Sequence, residues 1–167
     1  MIPVNGWPTV TIGMQRRDLD SVVADLRSLD FDDRTALHVR RYLVVRCAGF
    51  LEATRDECIR HYSQSKSDPF VASHVKSFLS RGQGASPQQL IDQVKTFSPE
   101  WGEELKSFLN ENNERRRLAL SSLYDSRRKI AHGLGDSVST RRALDWYDAT
   151  LEIADWLLVR YSPPARK

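Results

Sequence analysis

The chain has 167 residues, 25 Lys and Arg against 22 Asp and Glu, a formal charge of +3, and 40% apolar residues. That length fits one domain, and the balance excludes both a disordered chain and a membrane-embedded one. No apolar run approaches the roughly 18–20 residues that span a bilayer, and the first residues lack the basic-then-apolar order of a signal peptide, so the expected compartment is the cytoplasm, with no membrane contact.

Residues 1–15 read as an irregular N-terminal arm, because Pro3, Gly6, Pro8 and Gly13 interrupt it. A first helix is expected from Arg16 to Leu29. Asp32 and Asp33 offer a cap with favourable dipole charge for a long second helix ending near Ser63. Leu37, Val44, Cys47, Ala48, Leu51, Cys58 and Tyr62 form its apolar stripe. Three cap-plus-proline pairs follow. Asp68-Pro69 opens a helix to about Ser80, Ser86-Pro87 one to about Phe97, and Ser98-Pro99 one to about Asn110. Asn112 or Asn113 can cap the next, which runs to about His132 with Gly133 as its terminator. The final helix starts near Ser139 or Thr140 and stops before Pro163, leaving residues 163–167 as a short tail. No segment sustains period-two alternation. The expected fold is all-α, one bundle of six or seven helices over residues 16–162.

The final helix carries two apolar rows, Leu144, Tyr147, Leu151, Ala154, Leu158 and Tyr161 beside Trp146, Thr150, Ile153 and Leu157. So wide a face fits either a helix central to its own bundle or one shared with a second subunit. The two cysteines, Cys47 and Cys58, sit about 16 Å apart along one helix, beyond disulfide reach, and read as buried small residues. No metal-ligand spacing is present, and no cofactor is expected.

The charge is uneven. Nineteen of the 25 cations are Arg, whose planar fork grips phosphate. The segment from Glu111 to Arg142 carries +4 and the remainder −1, so a polyanion belongs at that segment. Near its middle stands Arg127-Arg128-Lys129-Ile130-Ala131-His132-Gly133. This places an imidazole at a helix C-terminus beside three cations, where helix dipole and neighbouring charge act on its protonation in opposite directions. Arg128 shares a face with His132, whereas Arg127 lies about 140° around the helix, among Leu120, Leu123 and Ile130. A cation on that stripe needs a buried partner or an exit at an interface.

Arg127-Arg128-Lys129-Ile130-Ala131-His132 resembles the Arg-polar-x-x-x-His signature of HEPN domains, all-α proteins that include many metal-independent ribonucleases. Two more segments resemble the RiboL-PSP-HEPN branch: Arg46-Cys47-Ala48-Gly49-Phe50-Leu51-Glu52 on the second helix, and the turn Phe97-Ser98-Pro99-Glu100-Trp101-Gly102. The resemblance spans roughly Val39 to Leu158 and departs at Arg128, where the family usually has Asn, His or Asp. It implies Arg127 and His132 as catalytic residues and Glu52 as a supporting polar side chain on the second helix; Arg128, on the face of His132, and Tyr124, one turn before Arg128, are the further supporting candidates that position on the helix adds. It also implies a two-fold homodimer in which two motifs face each other. The expected reaction is cleavage of RNA by its own 2′-OH, in a toxin–antitoxin or anti-phage setting with a possible antitoxin partner. Arg115, Arg116, Arg117, Lys129, Arg141 and Arg142 are then the expected RNA-backbone contacts. The other reading is a non-catalytic domain that binds RNA or a nucleotide, or serves dimerisation.

Overall fold

The computed structural model describes residues 7–29, 34–79, 84–134 and 137–162, with only the backbone at positions 76 and 78. Among the described residues there are six helices and no strand: α1 Val10–Ser28, α2 Arg34–Lys66, α3 Pro69–Leu79, α4 Pro87–Lys95, α5 Pro99–Ala131 and α6 Thr140–Arg160. The fold is the all-α bundle that the patterning calls for. The expected cap at Asp32-Asp33 and the tail at 163–167 lie outside the described residues.

The expected N-terminal arm is too long. Helix α1 starts at Val10, because Ile12 extends the buried series Leu19, Val23 and Leu26 back by two turns. Gly13 is accommodated inside the helix, and the interrupting residues Pro3, Gly6 and Pro8 all precede it. Trp7 belongs to the core, stacking on His61 and donating its indole N–H to the Leu158 carbonyl at 2.9 Å.

Helix α4 begins with a capping box, Ser86 and Gln89 exchanging side-chain and backbone hydrogen bonds, and with Pro87 at its first position. Helix α5 is broken where the sequence places a boundary. Asn112, Asn113 and Glu114 have φ of 52°, 57° and 59°, a left-handed turn. Asparagine tolerates that region better than most residues. The chain thus has an arm over residues 99–110 and another over 115–131. Arg116 clamps the break: it stacks on the Phe108 ring at 4.1 Å and donates to the Phe108 carbonyl at 3.0 Å and to Glu111 at 2.9 Å.

The core lies where α2, α5 and α6 meet. Both apolar rows of α6 face their own bundle. Trp146, Thr150, Ile153, Leu157, Ala154, Leu158 and Tyr161 are buried, and Leu144, Tyr147 and Leu151 are half-buried. Of the two readings of this face, the buried residues fit a helix central to its own bundle, with α2 and α5 both packed on α6, while Leu144, Tyr147 and Leu151 keep part of their surface open. Both cysteines are free and buried, as read, and burial pushes the Cys47 thiol up to about 12.

Candidate active site

Helices α2 and α5 run antiparallel. Tyr62 on α2 meets Trp101 on α5, and Ala48, four turns earlier, meets Tyr124. The Phe97–Gly102 turn lies at the first of these levels. Phe97 and Trp101 make edge-to-face contacts with Tyr62 and Tyr161, at centroid distances of 5.4–5.7 Å. Gly102 lets α5 approach α4, since a Cβ there would stand 2.8 Å from Cγ and 3.2 Å from Cα of Lys95. This segment shapes the bundle and stands about 15 Å along α2 from Glu52.

The second level holds the titratable groups. Glu52 Oε2 accepts from Arg127 Nη2 at 3.3 Å. Its other oxygen, Oε1, is buried without a hydrogen-bond partner. Burial raises the Glu52 carboxyl above the usual carboxylate range, against the opposing pull of Arg127 and Arg55. The Tyr124 hydroxyl donates to the Ala48 carbonyl at 3.4 Å. Burial, and then the neighbouring Glu52 charge, push its phenol up. The partner that Arg127 requires is thus found within the chain. Its side chain remains 38% exposed, so one edge of the guanidinium is open to a ligand.

His132 caps α5. The Gly133 N–H donates to the Ile130 carbonyl at 3.1 Å and the Leu134 N–H to the Lys129 carbonyl at 3.0 Å, with Gly133 at φ +68°. This is a Schellman motif, and it fixes the backbone that presents the imidazole. His132 is exposed, as are Lys129 and Leu134. Arg128 is 71% exposed and pairs with Asp125.

The structure brings Arg127, Glu52 and Tyr124 together and places Arg128, Lys129 and His132 in the next turn. It does not bring Arg115, Arg116 and Arg117 to them, because eleven helical residues separate Arg116 from Arg127 by about 16 Å. Arg115 and Arg116 both bind Glu152, and Arg117 stands 3.6 Å from Glu114. Arg116 is only 13% exposed. Arg141 and Arg142 are exposed at the start of α6, Arg142 over the Trp146 ring.

One member of this cluster escapes the sequence reading. Arg55 is buried beside Glu52, donating to Asp56 at 2.6 and 2.8 Å and to the Gly84 carbonyl at 2.7 Å. Its signal is a cation between Leu51 and Cys58 on the apolar stripe, the same pattern that singles out Arg127. Comparison with protein-family models, curated proteins and solved structures finds no match for this chain.

Proposed function

We propose that the protein is a metal-independent endoribonuclease of the HEPN type, acting as a homodimer in the cytoplasm. The observation that carries this reading is the placement of Arg127. A half-exposed guanidinium is held by the half-buried Glu52, in the turn before an exposed histidine on the same helix. That is one donor able to grip a phosphoryl oxygen and one imidazole able to move a proton.

In the proposed reaction the ribose 2′-oxygen attacks the adjacent phosphorus, and the bond from phosphorus to the 5′-oxygen breaks. The products are a 2′,3′-cyclic phosphate and a 5′-hydroxyl. One His132 imidazole takes the 2′-OH proton, and the imidazole of a second copy returns one to the leaving oxygen. Arg127, supported by Arg128, stabilises the charge that builds on the phosphoryl oxygens. Leu134, Tyr42 and Val45 are exposed, and Leu144, Tyr147 and Leu151 of α6 are half-buried, which leaves apolar side chains to a second copy. A toxin–antitoxin or anti-phage role is part of the proposal, with an antitoxin as a possible further partner.

The test is cleavage of single-stranded RNA in EDTA by the wild type, the Arg127→Ala variant and the His132→Ala variant. Cleavage by the wild type alone supports the reading, and equal cleavage by all three overturns it. A second reading, RNA binding without turnover, is favoured by the exposure of His132 in a single copy. Salt-dependent binding with no cleavage distinguishes it.

A further inference from the structure

Helix α2 carries a glycine that its own chain does not explain. Gly49 stands in the middle of a 33-residue helix, where glycine is disfavoured relative to alanine. The approach of Lys95 requires Gly102, but a Cβ at the exposed Gly49 would meet nothing within 4 Å. Gly49 opens a cavity of about 280 Å³ between α1 and α2, lined by Gln15, Val45, Arg46, Gly49 and Phe50. That volume falls below the roughly 300–1,000 Å³ of small-molecule sites and suits one large side chain.

The same helix offers such a side chain. Tyr42 is 52% exposed, with Arg46 6.0 Å from its ring centre. It lies about 20° around α2 from Gly49 and about 10 Å before it along the axis. A knob and a hollow on one line of a helix are self-complementary about a two-fold axis midway between them. That axis passes level with residues 45 and 46, at right angles to α2 and in the plane of contact. A second α2 then lies antiparallel on the first. Each Tyr42 ring enters the hollow at the other copy's Gly49, with the exposed Val45 beside the axis.

Charge selects the same direction. Residues 34–51 of α2 hold four Arg and no acidic residue, whereas residues 52–66 hold three acidic and three basic residues. Antiparallel copies set the cationic half against the neutral one, and parallel copies would set two cationic halves together.

We propose that this face of α2 is a homodimer interface, in which Tyr42 of each copy packs over Gly49 of the other. This inference rests on the homodimer of the proposed function and names its contact. The axis keeps both Glu52–Arg127 pairs on one flank of the helix pair, with the two Glu52 positions about 20 Å apart along α2.

The test is sedimentation equilibrium of the full-length chain. Tyr42→Ala removes the knob, and Gly49→Leu fills the hollow with a good helix former. Each raises the dimer dissociation constant by about tenfold or more, as for loss of a buried aromatic anchor. Phe70→Ser, at an exposed position on α3, leaves it unchanged. Circular dichroism confirms that each variant is folded. Oxidation of Val45→Cys gives a disulfide-linked dimer, because the two copies of residue 45 are about 1.5 Å apart along the helices and both native cysteines are buried. Gly49→Cys gives none, because its copies are about 10 Å apart along the helices, whereas a parallel pair would link both. A wild-type dimer whose dissociation constant stays within about twofold in Tyr42→Ala or in Gly49→Leu overturns the inference alone. So does linkage through Gly49→Cys. A wild type that stays monomeric at every concentration overturns the homodimer reading with it and leaves the face to a different partner. Cleavage by Arg127 and His132 is judged separately by its own test.

Discussion

Helix α5 carries two arginine clusters that look alike in sequence, Arg115–Arg117 and Arg127–Arg128, and each has a glutamate from another helix. In the first, Arg115 and Arg116 converge on Glu152, and Arg116 also stacks on Phe108 and bridges the left-handed turn. These cations are used up in holding the bundle. In the second, Glu52 holds Arg127 by a single 3.3 Å contact and leaves Arg128 outward. The difference teaches that a run of positive charge is a poor guide to a polyanion site until each cation's own partner is known.

The largest expected effect tests the second cluster. Arg127→Ala and His132→Ala each lower the rate of RNA cleavage by about 10²-fold or more, the range for losing a charge-stabilising donor or a proton-transfer group. Their melting temperatures stay close to that of the wild type, because both side chains have an exposed edge. A loss of folding in place of activity would make this cluster structural, like the first.

Arg116→Ala tests the first cluster. It removes a carbonyl hydrogen bond, two ion pairs and a ring stack from a nearly buried side chain. The expected cost is about 2 kcal/mol, read as a fall of roughly 4–8 °C in melting temperature for a chain of this size. RNA cleavage by the folded fraction is unchanged. A smaller step is Gly133→Ala. Open space surrounds the glycine, but its φ of +68° disfavours a side chain, at a cost of about 1 kcal/mol and a melting temperature lower by roughly 2–4 °C. Unchanged stability in either variant would blur the division between a structural and an open end.

Much of the fold was legible because its punctuation is local. Ser86-Pro87, Ser98-Pro99, Ser139 and Gly133 act where their side-chain or backbone chemistry says they must. The start of α1 was not, since Ile12 declares its place in the core only once α1 packs. The Arg127–Glu52 pair was half legible. A cation among Leu120, Leu123 and Ile130 demands a partner, but nothing local says whether that partner is Glu52 or a second subunit.

The smallest effect is a contrast in sign between the two glutamates. At Glu152, burial pushes the carboxyl up, but hydrogen bonds from Arg116 and Arg115 outweigh it and hold the group below its ordinary 4.5. A depressed carboxyl contributes stability above the unfolded value and loses it as pH falls through the folded one. At Glu52, burial outweighs Arg127 and Arg55, and the carboxyl rises above 4.5. A raised carboxyl binds its proton more tightly in the folded chain, so the fold gains stability as pH falls from neutral through the raised value toward 4.5. Urea denaturation of Glu152→Gln and Glu52→Gln against the wild type, from neutral pH to below 4.5, separates the two. The advantage of the wild type over Glu152→Gln shrinks below 4.5, whereas its stability relative to Glu52→Gln improves on the way down to 4.5. Two differences of the same sign would mean that both glutamates serve their arginines alike. The weak hold on Arg127, which leaves its guanidinium available to a phosphate, would then lose its physical basis.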